Sequence, residues 1–145
     1  MVIRKITEND LDIVSSICIE SFTNSVAASL SERGIFAFKE LSSPDSFLSR
    51  MKDDNVILVS EDQDNLNGII ELKEGRHVAM LFVDTQHQNK GVGKRLLSEA
   101  LVYARVSVVT VSASLSSVPA YIRYGFECKG DVAESSGLTG PPSKK

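Results

Sequence analysis

Residues 86–97 read QHQNKGVGKRLL, with Gly91 and Gly93 one residue apart among amides and cations. The stretch follows an apolar run, HVAMLFVD at 77–84, and passes into Leu96, Leu97, Ala100, Leu101 and Ala104 at helical spacing. Glycine costs a helix about 1 kcal/mol relative to alanine, so something other than helix stability selects the pair. A strand ending at Asp84, a glycine loop and a helix N-terminus together form an anion site. The first-turn amides lack intrahelical partners, and the helix dipole places about half a positive charge there. Glycines remove the Cβ atoms that would hold a diphosphate away from those amides, and Lys90, Lys94 and Arg95 add cationic charge. An ordinary strand–helix turn with a solvated basic face fits the glycine spacing equally well.

Two other phosphate motifs do not match. The Walker pattern requires Ser or Thr after Gly-Lys, but Arg95 follows Gly93-Lys94, and the earlier glycine is missing. The dinucleotide pattern G-x-G-x-x-G has Leu96 at its third glycine. What stands is Q-x-x-G-x-G, from Gln88 to Gly93.

Outward from this loop the chain reads as alternating strands and helices. VIRKI at 2–6 alternates as a half-buried strand. Thr7 and Asp10 have capping-box spacing ahead of a helix expected from Asn9 to Phe22. The segment from Thr23 to Asp54 is the least regular. Its Phe36, Phe38, Leu41, Phe47, Leu48 and Met51 predict short packed helices, with Pro44 in the first turn of the second. VILVSE and LNGIIELKE, joined by DQDN, predict an antiparallel hairpin. EGR at 74–76 turns into HVAMLFVD, apolar on both faces and so a central strand. The helix after the glycine loop is expected to run through Arg105, burying Val92, Leu96, Leu97, Ala100, Leu101 and Ala104. VSVVTVSA predicts a buried strand, and SSVPAYIRY a short helix with Ser117 as cap, Pro119 in its first turn and Gly125 ending it left-handed. FECKG resumes as a strand. The sum is an α/β sandwich around a mixed sheet.

Composition bounds the rest. A chain of 145 residues suits one domain, and 42% hydrophobic and 24% charged residues are those of a soluble globular protein. A net charge of −3 and a pI near 5.4 argue against nucleic acid as partner. No apolar run approaches the roughly 20 residues of a membrane span, and the N-terminus turns polar too early for a secretory signal, so a cytoplasmic location is expected. Cys18 and Cys128 read as reduced thiols. His77 and His87 lack any zinc spacing, so no metal is expected, and no G-x-S-x-G elbow marks a nucleophilic serine.

The Q-x-x-G-x-G loop, preceded by MLFVD and followed by KRLL, resembles the coenzyme A pyrophosphate loop of the GNAT superfamily of N-acetyltransferases. Downstream, VTVSASLSSVPAYIRYGFE resembles that superfamily's second signature: a strand, a short tyrosine-bearing helix, then Gly-Phe. Within the superfamily the sequence looks most like small stand-alone bacterial members. The resemblance implies an α/β fold with a mixed, mostly antiparallel central sheet and helices on both faces. It also implies one domain over residues 1–145, acetyl-CoA as acyl donor, and direct transfer to an amine.

By position, the resemblance places the pyrophosphate on the backbone of Gln88, Asn89, Lys90, Gly91, Val92, Gly93 and Lys94. It places the pantetheine arm on Leu81, Phe82 and Val83, with the Leu81 amide polarising the thioester carbonyl. Ser114 stands where many members have a cofactor-contacting asparagine, and Ser117 is a further contact. Tyr121, four residues before Gly125, matches the tyrosine that protonates the leaving thiolate; Tyr124 reads as packing or as a border of the substrate pocket. His77, eleven residues before Gln88, sits where several members carry a catalytic glutamate. Glu71 and a water chain are the alternative bases, and His87 is expected to face solvent. The C-terminal GLTGPPSKK resembles the family's last strand, but has Pro142 where similar members often have methionine. The acceptor, a small-molecule or peptide amine, is expected in a pocket shaped by Thr23–Asp54, in a monomer or homodimer. A catalytically silent acyl-CoA-binding module and a regulatory partner protein are the competing classes.

Overall fold

The computed structural model describes residues 1–25, 31–88, 90–112, 118–124, 126–128 and 137–139. The elements are β1 (Val2–Lys5), a 3-10 turn (Glu8–Asp10), α1 (Leu11–Ser25), α2 (Glu32–Leu41), α3 (Pro44–Met51), β2 (Asn55–Asp62), β3 (Asn65–Lys73) and β4 (His77–Val83). There follow a second 3-10 turn (Thr85–His87), α4 (Val92–Leu101), β5 (Thr110–Ser112), α5 (Val118–Arg123), β6 (Glu127–Cys128) and β7 (Gly137–Thr139). The strands form one sheet in the order β1-β2-β3-β4-β5-β7-β6, parallel between β4 and β5 and antiparallel elsewhere. This is the expected mixed, mostly antiparallel sheet. Among the described residues no helix is long and apolar enough to cross a membrane.

Alternation along the strands feeds two cores, one on each face. Ile57, Val59, Ile69 and Met80 meet Val14 and Cys18 of α1 and Phe47 of α3. Leu58, Ile70, Leu72 and Val78 meet Val92, Leu96, Leu97 and Ala100 of α4, with Tyr121 and Phe126. Each buried aliphatic side chain among them contributes about 1.5–3 kcal/mol of transfer free energy. The two hairpins turn through left-handed residue pairs, Gln63 and Asp64 (φ 53° and 69°) and Glu74 and Gly75 (φ 54° and 67°). Such pairs match the right-handed twist of the flanking strands.

β4 carries a bulge that positions the site. Met80 stands opposite Glu71 and Val78 opposite Leu72, so Ala79 is an extra residue without a partner on β3. Val78 and Met80, two residues apart, therefore point into opposite cores. On its other side β4 pairs with β5, among the described residues, at His77–Thr110 and Val78–Val111.

Four expectations change. The first helix begins at Leu11 after the 3-10 turn and extends to Ser25, with the Thr7 N–H donating to Asp10 Oδ2 at 2.8 Å. α4 ends at Leu101 rather than Arg105, because Tyr103 and Ala104 tighten to i−3 bonds and the Arg105 N–H is taken by Gly75 O at 2.8 Å. The strand expected over 106–113 is recorded from Thr110; Val106 and Val108 are exposed, and the buried residues are Val109 and Val111. Phe36 and Leu41 of α2 are exposed rather than packed, while Phe38 stacks on Phe22 at 3.9 Å and meets Phe82 edge-on at 5.5 Å. Gly125 and the cap at Ser117 lie outside the described residues.

Candidate active site

The N-terminus of α4 differs from those of its neighbours. Ser31 caps α2 by accepting from Gly34 N, and Ser43 caps α3 by accepting from Ser46 N. At α4 the capping position is Gly91, left-handed at φ 85°, and it supplies no side-chain cap to the first turn. The amides of Val92, Gly93 and Lys94 therefore lack intrahelical acceptors. Val92 and Gly93 are buried, whereas Lys90, Gly91, Lys94 and Arg95 are exposed around them. Exposed Gln88 folds back, its Nε2 donating to Val83 O at 3.0 Å. Ser21 Oγ of α1 donates to the same carbonyl at 3.1 Å, so the end of β4 is fixed from two sides. Asp84 caps the intervening 3-10 turn by accepting from Gln86 N. His87, expected to face solvent, is half-buried with Nδ1 3.6 Å from Asp84 Oδ2, too long for a hydrogen bond.

The backbone of β4 sorts the three strand residues. Asp84 N donates to Asn67 O on β3 at 2.8 Å. Amides and carbonyls alternate sides along a strand, so Phe82 also turns its backbone to β3, and Phe82 O lies 3.3 Å from the place a Cβ on Gly68 would take. Leu81 and Val83 turn theirs to the opposite edge. The Val83 carbonyl is engaged there by Ser21 and Gln88, which leaves the Leu81 amide and carbonyl and the Val83 amide open among the described residues. The part expected of Phe82 narrows to its ring, which packs toward α2.

Tyr121 is buried in the α4-side core, edge-on to Tyr124 and Phe126 with ring centroids 6.0 and 5.6 Å away. Burial, and then the neighbouring Tyr124, raise its phenol well above the ordinary value of 10.0. Its hydroxyl stays protonated at any physiological pH. Asn89, Ser114 and Ser117 lie outside the described residues.

His77 opens β4, half-exposed, with Nδ1 2.7 Å from Thr110 Oγ1. Burial first, then Arg76 and Lys73, lower its pKa below the ordinary 6.5, which favours the neutral imidazole. Glu71 is buried and committed elsewhere. Arg50 Nε donates to both its oxygens, at 2.9 and 3.2 Å, while the same guanidinium donates to Leu41 O and Ser46 Oγ. This pair forms one wall of a 310 Å³ cavity lined also by Asp53, Asn55, Lys73, Ala79 and Met80. The irregular segment thus contributes Leu41, Arg50 and Asp53 to a cavity that reaches the β4 bulge. Arg50 and the bulge carry no trace in the sequence beyond one basic residue in a short helix and an apolar run without alternation. Buried Cys18, its thiol pushed up to about 12 by burial, lies in the α1-side core and is chemically quiet.

Set against known proteins, residues 26–145 match the Acetyltransferase (GNAT) domain family. No curated protein matches the sequence. Among solved structures, a GCN5-related N-acetyltransferase from Rhodopseudomonas palustris superposes with a TM-score of 0.84 at 20% identity, covering 97% of this chain and 94% of that one. The PaiA N-acetyltransferase from Thermoplasma acidophilum, in complex with coenzyme A, gives 0.83 at 23% identity, covering 97% and 98%. A spermidine N-acetyltransferase SpeG chimera of Vibrio cholerae and hSSAT gives 0.64 at 21% identity, covering 95% and 92%. At these identities the likeness is one of fold.

Proposed function

The chain belongs to the GNAT family of acetyl-CoA-dependent acetyltransferases, and from that premise we propose that it acetylates a primary amine by direct attack in a ternary complex. One observation carries the reading. β4 runs from the Val78–Val111 pair directly to a helix N-terminus capped by a left-handed glycine. About 13 Å of strand backbone from Ala79 to Val83 and the first turn of α4 therefore follow one another in the order that the arm and the diphosphate of coenzyme A require.

Coenzyme A fits the groups along that run. The amides of Val92, Gly93 and Lys94 and the charges of Lys90, Lys94 and Arg95 suit a diphosphate, and the backbone groups that Leu81 and Val83 turn away from β3 suit an amide-bearing arm. Acetyl-CoA supplies an acyl carbon held on a thioester. The Leu81 N–H is a fixed donor for the charge that develops on the acyl oxygen. Tyr121, kept protonated by burial, gives the proton that the departing sulfur needs. His77, neutral at pH 7, accepts the proton of the amine; four residues from Leu81 on the strand, it does so through water. Glu71 is the weaker candidate base, since both its oxygens are held by Arg50. The amine enters by the cavity at the Ala79 bulge, on the α3 side.

Calorimetry with coenzyme A, and thiol release from acetyl-CoA against an amine panel that includes spermidine, test this on wild type, Tyr121→Phe and His77→Ala. Coenzyme A should bind all three. Tyr121→Phe should lower kcat by about 100-fold or more with little change in affinity for coenzyme A. Absence of coenzyme A binding by wild type would overturn the reading, and binding without thiol release would leave a silent module.

A further inference from the structure

Gly93 lies in the first turn of α4, and a Cβ built on it would stand 2.7 Å from the Tyr124 hydroxyl oxygen. The next neighbours of that Cβ, Tyr124 Cζ at 3.6 Å and Val83 Cγ2 at 3.7 Å, are ordinary contacts. Among the described residues a single atom, Tyr124 Oη, therefore bars a side chain at position 93. Position 91 is different: nothing lies within 4 Å of a Cβ there, and its φ of 85° is what favours glycine.

Tyr124 is packed beside Tyr121. Its N–H donates to Tyr121 O at 3.1 Å, its ring stands edge-on to Tyr121 at an interplanar angle of 86°, and it packs against the α4-side core. Tyr121 in turn stands edge-on to Phe126.

We propose that Tyr124 is a positioning residue that connects the first turn of α4 to Tyr121, and that position 93 is bare to admit its hydroxyl. The proposal rests on the functional reading above for the occupant of the turn, coenzyme A, and for the role of Tyr121 as proton donor. Groups bound at the turn set Tyr124, and Tyr124 sets the ring that donates the proton.

The test is a four-protein cycle of wild type, Gly93→Ala, Tyr124→Phe and the double variant, read by coenzyme A affinity, thermal midpoint and ultraviolet titration of tyrosine. The chain has three tyrosines and no tryptophan, so the titration reports Tyr121 against few others. Gly93→Ala should weaken coenzyme A binding about tenfold, the cost of a moderate overpacking, and bring Tyr121 ionisation down toward that of an ordinary phenol. In the double variant, with Oη absent, coenzyme A affinity and thermal midpoint should return to those of Tyr124→Phe alone, and Tyr121 should again titrate as it does in that variant. If Gly93→Ala does not fold, recovery of folding in the double variant is the same result. A silent Gly93→Ala, or a double variant as weak toward coenzyme A as Gly93→Ala, would overturn the proposal, the latter by showing that position 93 is bare for the ligand itself. A wild type that does not bind coenzyme A would remove the functional reading alone, because the midpoint and titration cycle still decides the contact between positions 93 and 124.

Discussion

His77 and Tyr121 are shifted by burial in directions that suit opposite tasks. Burial lowers the pKa of His77, so the folded chain holds it neutral. It raises that of Tyr121, so the folded chain holds it protonated. The stability tied to His77 is present above its unfolded pKa near 6.5 and declines as pH falls through the lower folded value. The same shift governs rate. With His77 as base, kcat/KM should rise with pH along a limb centred below 6.5 and stay flat through pH 8–9, since Tyr121 does not lose its proton there. A pH–rate profile of His77→Ala should lack that acidic limb. An unchanged limb would remove His77 from the mechanism.

Among the elements, α3 is fastened to β3 by one buried ion pair, Arg50 with Glu71. Arg50→Ala would leave the Glu71 carboxylate buried without a partner, at a cost of about 3–5 kcal/mol, or a fall of roughly 10 °C in Tm. Denaturant unfolding should show it, and Glu71→Gln in the same background should recover part of the loss. Neither this pair nor the cavity beside it was legible from the residues, because pairing across 21 positions is decided by tertiary packing. Features decided locally were legible: both hairpins, from alternation and polar turns, and α4, from its apolar stripe. Its last turn was not, because a tertiary bond from Arg105 to Gly75 ends the helix. The Ala79 bulge was hidden for a related reason. A one-residue slip in a strand that is apolar on both faces leaves the pattern unchanged. Val106 and Val108 are exposed despite their β-branched propensity, because the buried positions of this segment are Val109 and Val111.

At the scale of the molecule, the proposed binding of coenzyme A predicts strong coupling between ligand and stability. Coenzyme A at 100 times its dissociation constant should add about 2.7 kcal/mol, a rise of roughly 5–10 °C in Tm by scanning calorimetry. Arg50→Ala should keep that increment while starting from a lower midpoint, because its pair lies on the α3 face of the sheet and α4 on the other. The strand order carries a further consequence, for the order of folding. β1 to β4 join neighbours in sequence through antiparallel pairs, apart from the β1–β2 pair that spans the first three helices. β7 instead lies between β5 and β6, so residues 137–139 fill an interior place in the sheet and hold β6 in it. During synthesis the β3–β4 side can assemble as it leaves the ribosome, whereas the β5 side waits for residues made near the end of this chain. The β5 edge is therefore completed later than the hairpins it stands beside, although it pairs with the strand that leads to the glycine loop.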